Sequence, residues 1–162
     1  MKKIGLIALV LASAAIAGTA QAEVKTHKAA QVSLDVPAGW KGQGDENNMV
    51  LLDPKEEVMF VLRIVEGSEL QKALNDADVF IAKQIEKPTW KDKKDVKLNG
   101  MNSITREGTG TYKGKPVDVG VLVIATPSKK FLLVLALIDH SAAAAHKTEV
   151  RAFVNSIKPA AP

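Results

Sequence analysis

His27, His140 and His146 are the only imidazoles in a chain that has no cysteine. Nucleophilic catalysis here would therefore need one of them to activate a serine or threonine hydroxyl. Asp139-His140-Ser141 holds the three residue types of a hydrolytic triad, but side chains adjacent in sequence point apart, and a triad is assembled from separate elements. These three read as a helix cap or surface polar group. His27 falls in a polar segment that reads as a mobile arm. His140 and His146 are six positions apart, which is not a same-face helical spacing, and no HExxH pattern accompanies them. The acidic residues Asp45, Glu46, Asp53, Glu56 and Glu57 crowd two loops. If those loops lie close together, their oxygens could hold a hard cation weakly; without an EF-hand spacing, solvated loops are the plainer reading. No catalytic, cofactor-binding or metal-binding residue is assigned, and the chain does not read as an enzyme.

Two tryptophans remain. Trp40 follows Pro37-Ala38-Gly39 and reads as a plug at one end of the core. Trp90 lies in the charged connection Lys87 to Lys94. There it is either an exposed anchor, with lysines around it that suit a protein partner or an anionic surface, or a clamp holding the loop onto the sheet. It is the one residue put forward as a partner contact. Gly108 and Gly110 make no phosphate loop, because they sit in a strand with no helix and no Lys-Ser pair behind them.

The elements that position these groups follow from hydrophobic periodicity. Val32, Leu34 and Val36 alternate as a half-buried strand, Lys41 to Asn48 reads as a polar loop, and Met49 to Leu52 and Val58 to Val65 are two further strands around Asp53-Pro54-Lys55. Ser68 is positioned to cap a helix from Glu69 to Ile85, whose Leu70, Leu74, Ala77, Ile81 and Ile85 share a face. A strand over Asp95 to Leu98 meets the hairpin signal Asn99-Gly100, and a polar strand runs from Asn102 to Tyr112 with the two glycines marking a bulge or bend. Val117 to Ala125 and Phe131 to Ile138 are nearly continuous apolar runs, which places them centrally in a sheet covered on both faces. Asp139 or Ser141 caps a last helix, Ala142 to Ile157, stopped by Lys158-Pro159.

The first 22 residues have a different composition. Lys2 and Lys3, the apolar run Ile4 to Ala17 and Ala20-Gln21-Ala22 read as a secretory signal peptide cleaved near Ala22. The apolar run falls short of the ~20 residues that cross a bilayer as a helix, so a free periplasmic or secreted protein is expected rather than an integral membrane protein. Residues 23–30 then read as a flexible arm, 31–159 as one domain and 160–162 as a tail. Without cysteine there is no disulfide framework and no thiolate chemistry. Formal net charge is +4 overall, but removal of Lys2 and Lys3 leaves 20 basic residues against 18 acidic ones. The charges are interspersed rather than clustered on one face, which argues against nucleic acid as a partner.

Val36-Pro37-Ala38-Gly39-Trp40, Leu52-Asp53-Pro54, Leu98-Asn99-Gly100 and Phe153-Val154-Asn155-Ser156-Ile157-Lys158-Pro159 occur in an order that resembles the PsbP-like superfamily and its bacterial DcrB-like members. The resemblance spans nearly the whole mature chain. It implies an α+β fold, a mainly antiparallel sheet of about six to seven strands flanked by helices as an α/β/α sandwich. Known members include an extrinsic subunit of the photosynthetic oxygen-evolving complex and a factor that binds a small GTPase. The resemblance thus implies a non-enzymatic binding or assembly role, here with a protein of the cell envelope, and it carries no catalytic residue onto this chain. A periplasmic protein that binds a small ligand or metal ion is the alternative. No cofactor is expected, and the sequence does not set the oligomeric state.

Overall fold

The computed structural model describes residues 21–162. All but the last two residues of the expected leader lie outside that range. Among the described residues the order is β1 (Glu23–His27), β2 (Val32–Val36), β3 (Lys41–Gly44), β4 (Asn48–Leu52), β5 (Val58–Val65), α1 (Leu70–Ala82), β6 (Glu86–Trp90), β7 (Lys94–Leu98), β8 (Met101–Tyr112), β9 (Lys115–Ala125), β10 (Phe131–Asp139), α2 (Ala143–Ser156) and β11 (Lys158–Pro159). An eight-stranded antiparallel sheet runs β3-β4-β5-β10-β9-β8-β6, with β7 also pairing with β8. A second, three-stranded sheet runs β1-β2-β11.

The two apolar runs, β9 and β10, lie side by side in the interior of the large sheet, β10 between β5 and β9. Alternation sends their side chains to opposite faces. Val119, Val121, Val123, Leu133 and Leu135 meet Leu74, Ala77 and Ile81 of α1. Leu122, Ile124, Leu132, Val134 and Ala136 join Phe60, Phe153, Ile157 and the inner residues of β2 on the other face. Each fully buried Val or Leu contributes about 2 kcal/mol through removal from water, so both layers hold the sheet. Asn99 (φ 47°) with Gly100 (φ 85°), and Lys113 (φ 48°) with Gly114 (φ 78°), have positive φ at both turn positions, as two-residue hairpins require.

Several expectations are corrected. Residues 23–27 do not form an arm: they pair in register with β2, and the ring of His27 at the end of β1 is buried while its Nδ1 accepts from Ala30 N. The first residue of the tail is tied down as well, with Ala160 N donating to Gln31 O. The loop at 41–48 contains β3, and the connection that holds Trp90 is strand β6. Both are polar edge strands whose backbone pairing leaves no hydrophobic signature. Ser68 caps nothing; α1 begins after Glu69 without a side-chain cap, and Ser68 Oγ accepts from Lys72 Nζ. α2 likewise starts after Ala142 without one, because Asp139 Oδ1 accepts from both N and Oγ of Ser141.

Candidate functional site

α2 presents two different stripes to the rest of the molecule. The first anchors it. Phe153 packs on Phe60, with ring centroids 4.1 Å apart, and both lie against the Trp40 ring. Trp40 Nε1 donates to Glu149 Oε1 at 3.0 Å, and Glu149 Oε2 is 2.9 Å from His146 Nδ1. The other ring nitrogen, Nε2, is 2.8 Å from Glu57 Oε2. An imidazole bonded to a carboxylate at both nitrogens donates from both, so His146 is an imidazolium. The bond to Glu57, and after it the bond to Glu149, holds its pKa above the ordinary value, outweighing the opposing effect of burial. Trp40 is the core plug expected of it, with its indole N–H added to the network.

This network unites residues that lie far apart in sequence. Asp53, Glu57 and His146 bring potential ligand atoms within 4.8 Å of one another. Asp53 is buried and its oxygens accept from the backbone N–H groups of Lys55, Glu57 and Val58. A cation at this point would have to replace the proton on His146 Nε2 and share oxygens that already shape the turn before β5. Asp45 and Glu46 are not part of the group, because β4 separates their loop from Asp53, Glu56 and Glu57 by about 17 Å of extended chain. Asp45 instead accepts from the backbone N–H of Asn47 and Asn48, which lowers its pKa.

The triad letters do not assemble. His140 is largely exposed and bonds through Nδ1 to Asp118 at 2.6 Å, which raises its pKa, while the hydroxyl of Ser141 donates to Asp139. His140 and His146 have separate partners and do not converge. His27 is held neutral, its pKa lowered chiefly by burial.

Trp90 is half-buried on the α1 face of the sheet. Its ring lies over Gly108 and under the Arg106 guanidinium, 4.0 Å from the ring centroid, and Arg106 is bonded to Asp78 of α1. A Cβ on Gly108 would lie 2.5 Å from Trp90 Cε3. The glycines of β8 therefore make room for β6 rather than bend their own strand; the break in register lies in β6, between Glu86 and Thr89.

The second stripe of α2 faces a trough of about 920 Å³ that no sequence motif announced. Ala143, Lys147, Val150, Arg151 and Val154 recur at helical spacing along its wall, and Gly120, Leu122, Val134 and Ala136 form its floor. α2 packs on β2 and β10, whereas α1 on the opposite face reaches β5, β8, β9 and β10. Above β8 and β9 the α2 face is thus left without a helix. One end of the trough is closed where Asn99 Nδ2 donates to the carbonyls of Asn155 and Ile157 at 2.9 and 2.7 Å. No helix among the described residues is long and apolar enough to cross a membrane.

This architecture is shared with known structures. The chain resembles cyanobacterial PsbP (CyanoP) from Synechocystis sp. PCC 6803, with a TM-score of 0.63 at 13% identity over 91% of this chain and 97% of that one. It is also similar to LpqN of Mycobacterium tuberculosis, described as involved in cell envelope biogenesis, with a TM-score of 0.57 at 15% identity over 78% of this chain and 82% of that one. The Saccharomyces cerevisiae Ran-binding protein Mog1p gives a TM-score of 0.57 at 11% identity over 87% of this chain and 96% of its own. No protein-family model matches the sequence, and none of the curated proteins does. The chain has the PsbP-like fold. At these identities the likeness is one of fold, and function has to be argued from the site.

Proposed function

We propose that this chain is an exported, non-enzymatic binding or assembly protein of the cell envelope, periplasmic after loss of its leader, and that it receives a partner protein in the trough beside α2. The observation that carries this reading is the strip of sheet over β8 and β9 that lacks a covering helix, flanked by the half-buried Val150 and Val154 of α2. A broad, open, largely apolar trough with charged rims is the anatomy of an interaction surface. The similarity to an envelope-biogenesis protein and a Ran-binding protein supports a binding role. A photocrosslinking residue placed at Val154 should capture one specific adduct in the native envelope, and the same residue at the exposed Val79 of α1 should not. Equal labelling from both positions, or none from Val154, would overturn the reading.

A second reading, cation binding, is favoured by the convergence of Asp53, Glu57 and His146. Added Zn²⁺ would then raise the melting temperature of the wild type and not that of His146→Gln.

A further inference from the structure

Gly120 interrupts the apolar run of β9 where the backbone does not require glycine: its φ lies outside the left-handed region, and a Cβ there would meet only Ala136 Cβ, at an ordinary 3.5 Å. A glycine inside a central strand weakens it, and such a position often marks the close approach of another chain or ligand. With Ala136 beside it, Gly120 places the two smallest residues of the trough floor next to each other.

Resting on the trough as the binding surface, we infer that the partner element is an acidic amphipathic α-helix, laid beside α2 with its apolar face over Gly120. Three observations select this occupant. The uncovered strip from β9 across β8 to β6 and β7 is two strand spacings, about 10 Å, and matches the width of one helix. A volume of about 920 Å³ accommodates roughly two helical turns. Strand addition is closed off in the trough, because β8 is paired with β9 on one side and with β6 and β7 on the other.

Charge sets the chemistry of the flanks. The trough's two carboxylates are already engaged, Glu107 by Lys91 and Asp118 by His140. Among the described residues, Lys147 and Arg151 on the α2 rim have no carboxylate within ion-pair distance. A helix with acidic flanks meets two free cations, whereas a basic one is repelled.

The test uses the mature chain and two synthetic helices of about five turns with one shared Leu/Ala stripe, flanked by Glu in one and Lys in the other, with anionic phosphatidylglycerol vesicles as a third arm. The Glu-flanked peptide should bind about tenfold or more tightly than the Lys-flanked one, and Lys147→Glu with Arg151→Glu should reverse that preference. At Gly120 a Cβ is accommodated at ordinary contact and a longer side chain would extend into the trough, so Gly120→Leu should abolish binding while the melting temperature is retained. Equal affinity for both peptides, or an unchanged affinity in Gly120→Leu, would overturn the inference. Binding to vesicles without binding to either peptide would overturn it in favour of a lipid surface. A crosslink from Val154 that Gly120→Leu removes, together with indifference to peptide charge, would sink the acidic helix and leave the trough as the binding surface.

Discussion

His146 on α2 donates through Nε2 to Glu57 at 2.8 Å, although the two residues stand 89 positions apart in the chain. The bond fastens the N-terminal half of α2 to the turn before β5, and a second bond joins the same turn to the end of β10, where Asp139 N donates to Glu57 O. Because the His146 pKa is raised in the folded state, its stabilising contribution is complete below the ordinary histidine value of about 6.5 and is lost as pH rises through the higher folded value. His140 acts in the same direction, and neutral His27 acts oppositely, losing stability as pH falls through about 6.5. His146→Gln should therefore cost on the order of 1 kcal/mol near pH 6 and progressively less toward pH 9. Thermal melts in a His140→Ala background check this, and a cost independent of pH would show that the ring's shape, not its proton, holds the helix.

Leu135→Asp and Val121→Asp should each destabilise by about 3 kcal/mol or more, since both positions are about 1% exposed beneath α1 and an introduced carboxylate would have no partner there. Urea midpoints measure the effect. A wild-type midpoint in either variant would contradict the central placement of β9 and β10.

Trp90→Ala should lower stability by about 2 kcal/mol, because it empties the space over Gly108 and leaves Arg106 without its stacking surface. Gly108→Ala should be comparably harmful, from crowding rather than loss. The sequence also offered Trp90 as a contact for an envelope partner. Measuring melting temperature and partner affinity on the same Trp90→Ala protein separates the two roles, since a contact residue would lose binding out of proportion to stability.

Exported protein should begin near Glu23, which intact-mass measurement of material from the envelope fraction would show. An intact Met1 start held in the membrane would refute cleavage.

Elements with strong periodicity were legible in the sequence. The runs over β5, β9 and β10 appear because both or one of their faces are buried, and Asn99-Gly100 appears because few residue pairs accept positive φ twice in succession. β1, β3 and β6 were not legible, since Glu23–His27, Lys41–Gly44 and Glu86–Trp90 owe their extended form to a neighbour's backbone rather than to side-chain pattern. The site was legible only in fragments. His146 and the Asp53–Glu57 turn each stand out in the sequence, yet their meeting depends on how α2 folds back along β10. Gly120 carries no signal of its own, since a single glycine in an apolar run says nothing without the uncovered strip above it.

The outer margins of the large sheet also shape how this protein behaves among its own copies. On one side β6 carries Pro88, which has no N–H to offer, next to Lys87 at φ 48°, and β7 is a five-residue strand bearing Lys94, Asp95 and Lys97; on the other β3 is a four-residue polar strand with two glycines. Neither margin offers a long flat row of free peptide groups to an incoming strand. Folded copies crowded together are thereby denied the edge-to-edge growth that begins a fibril.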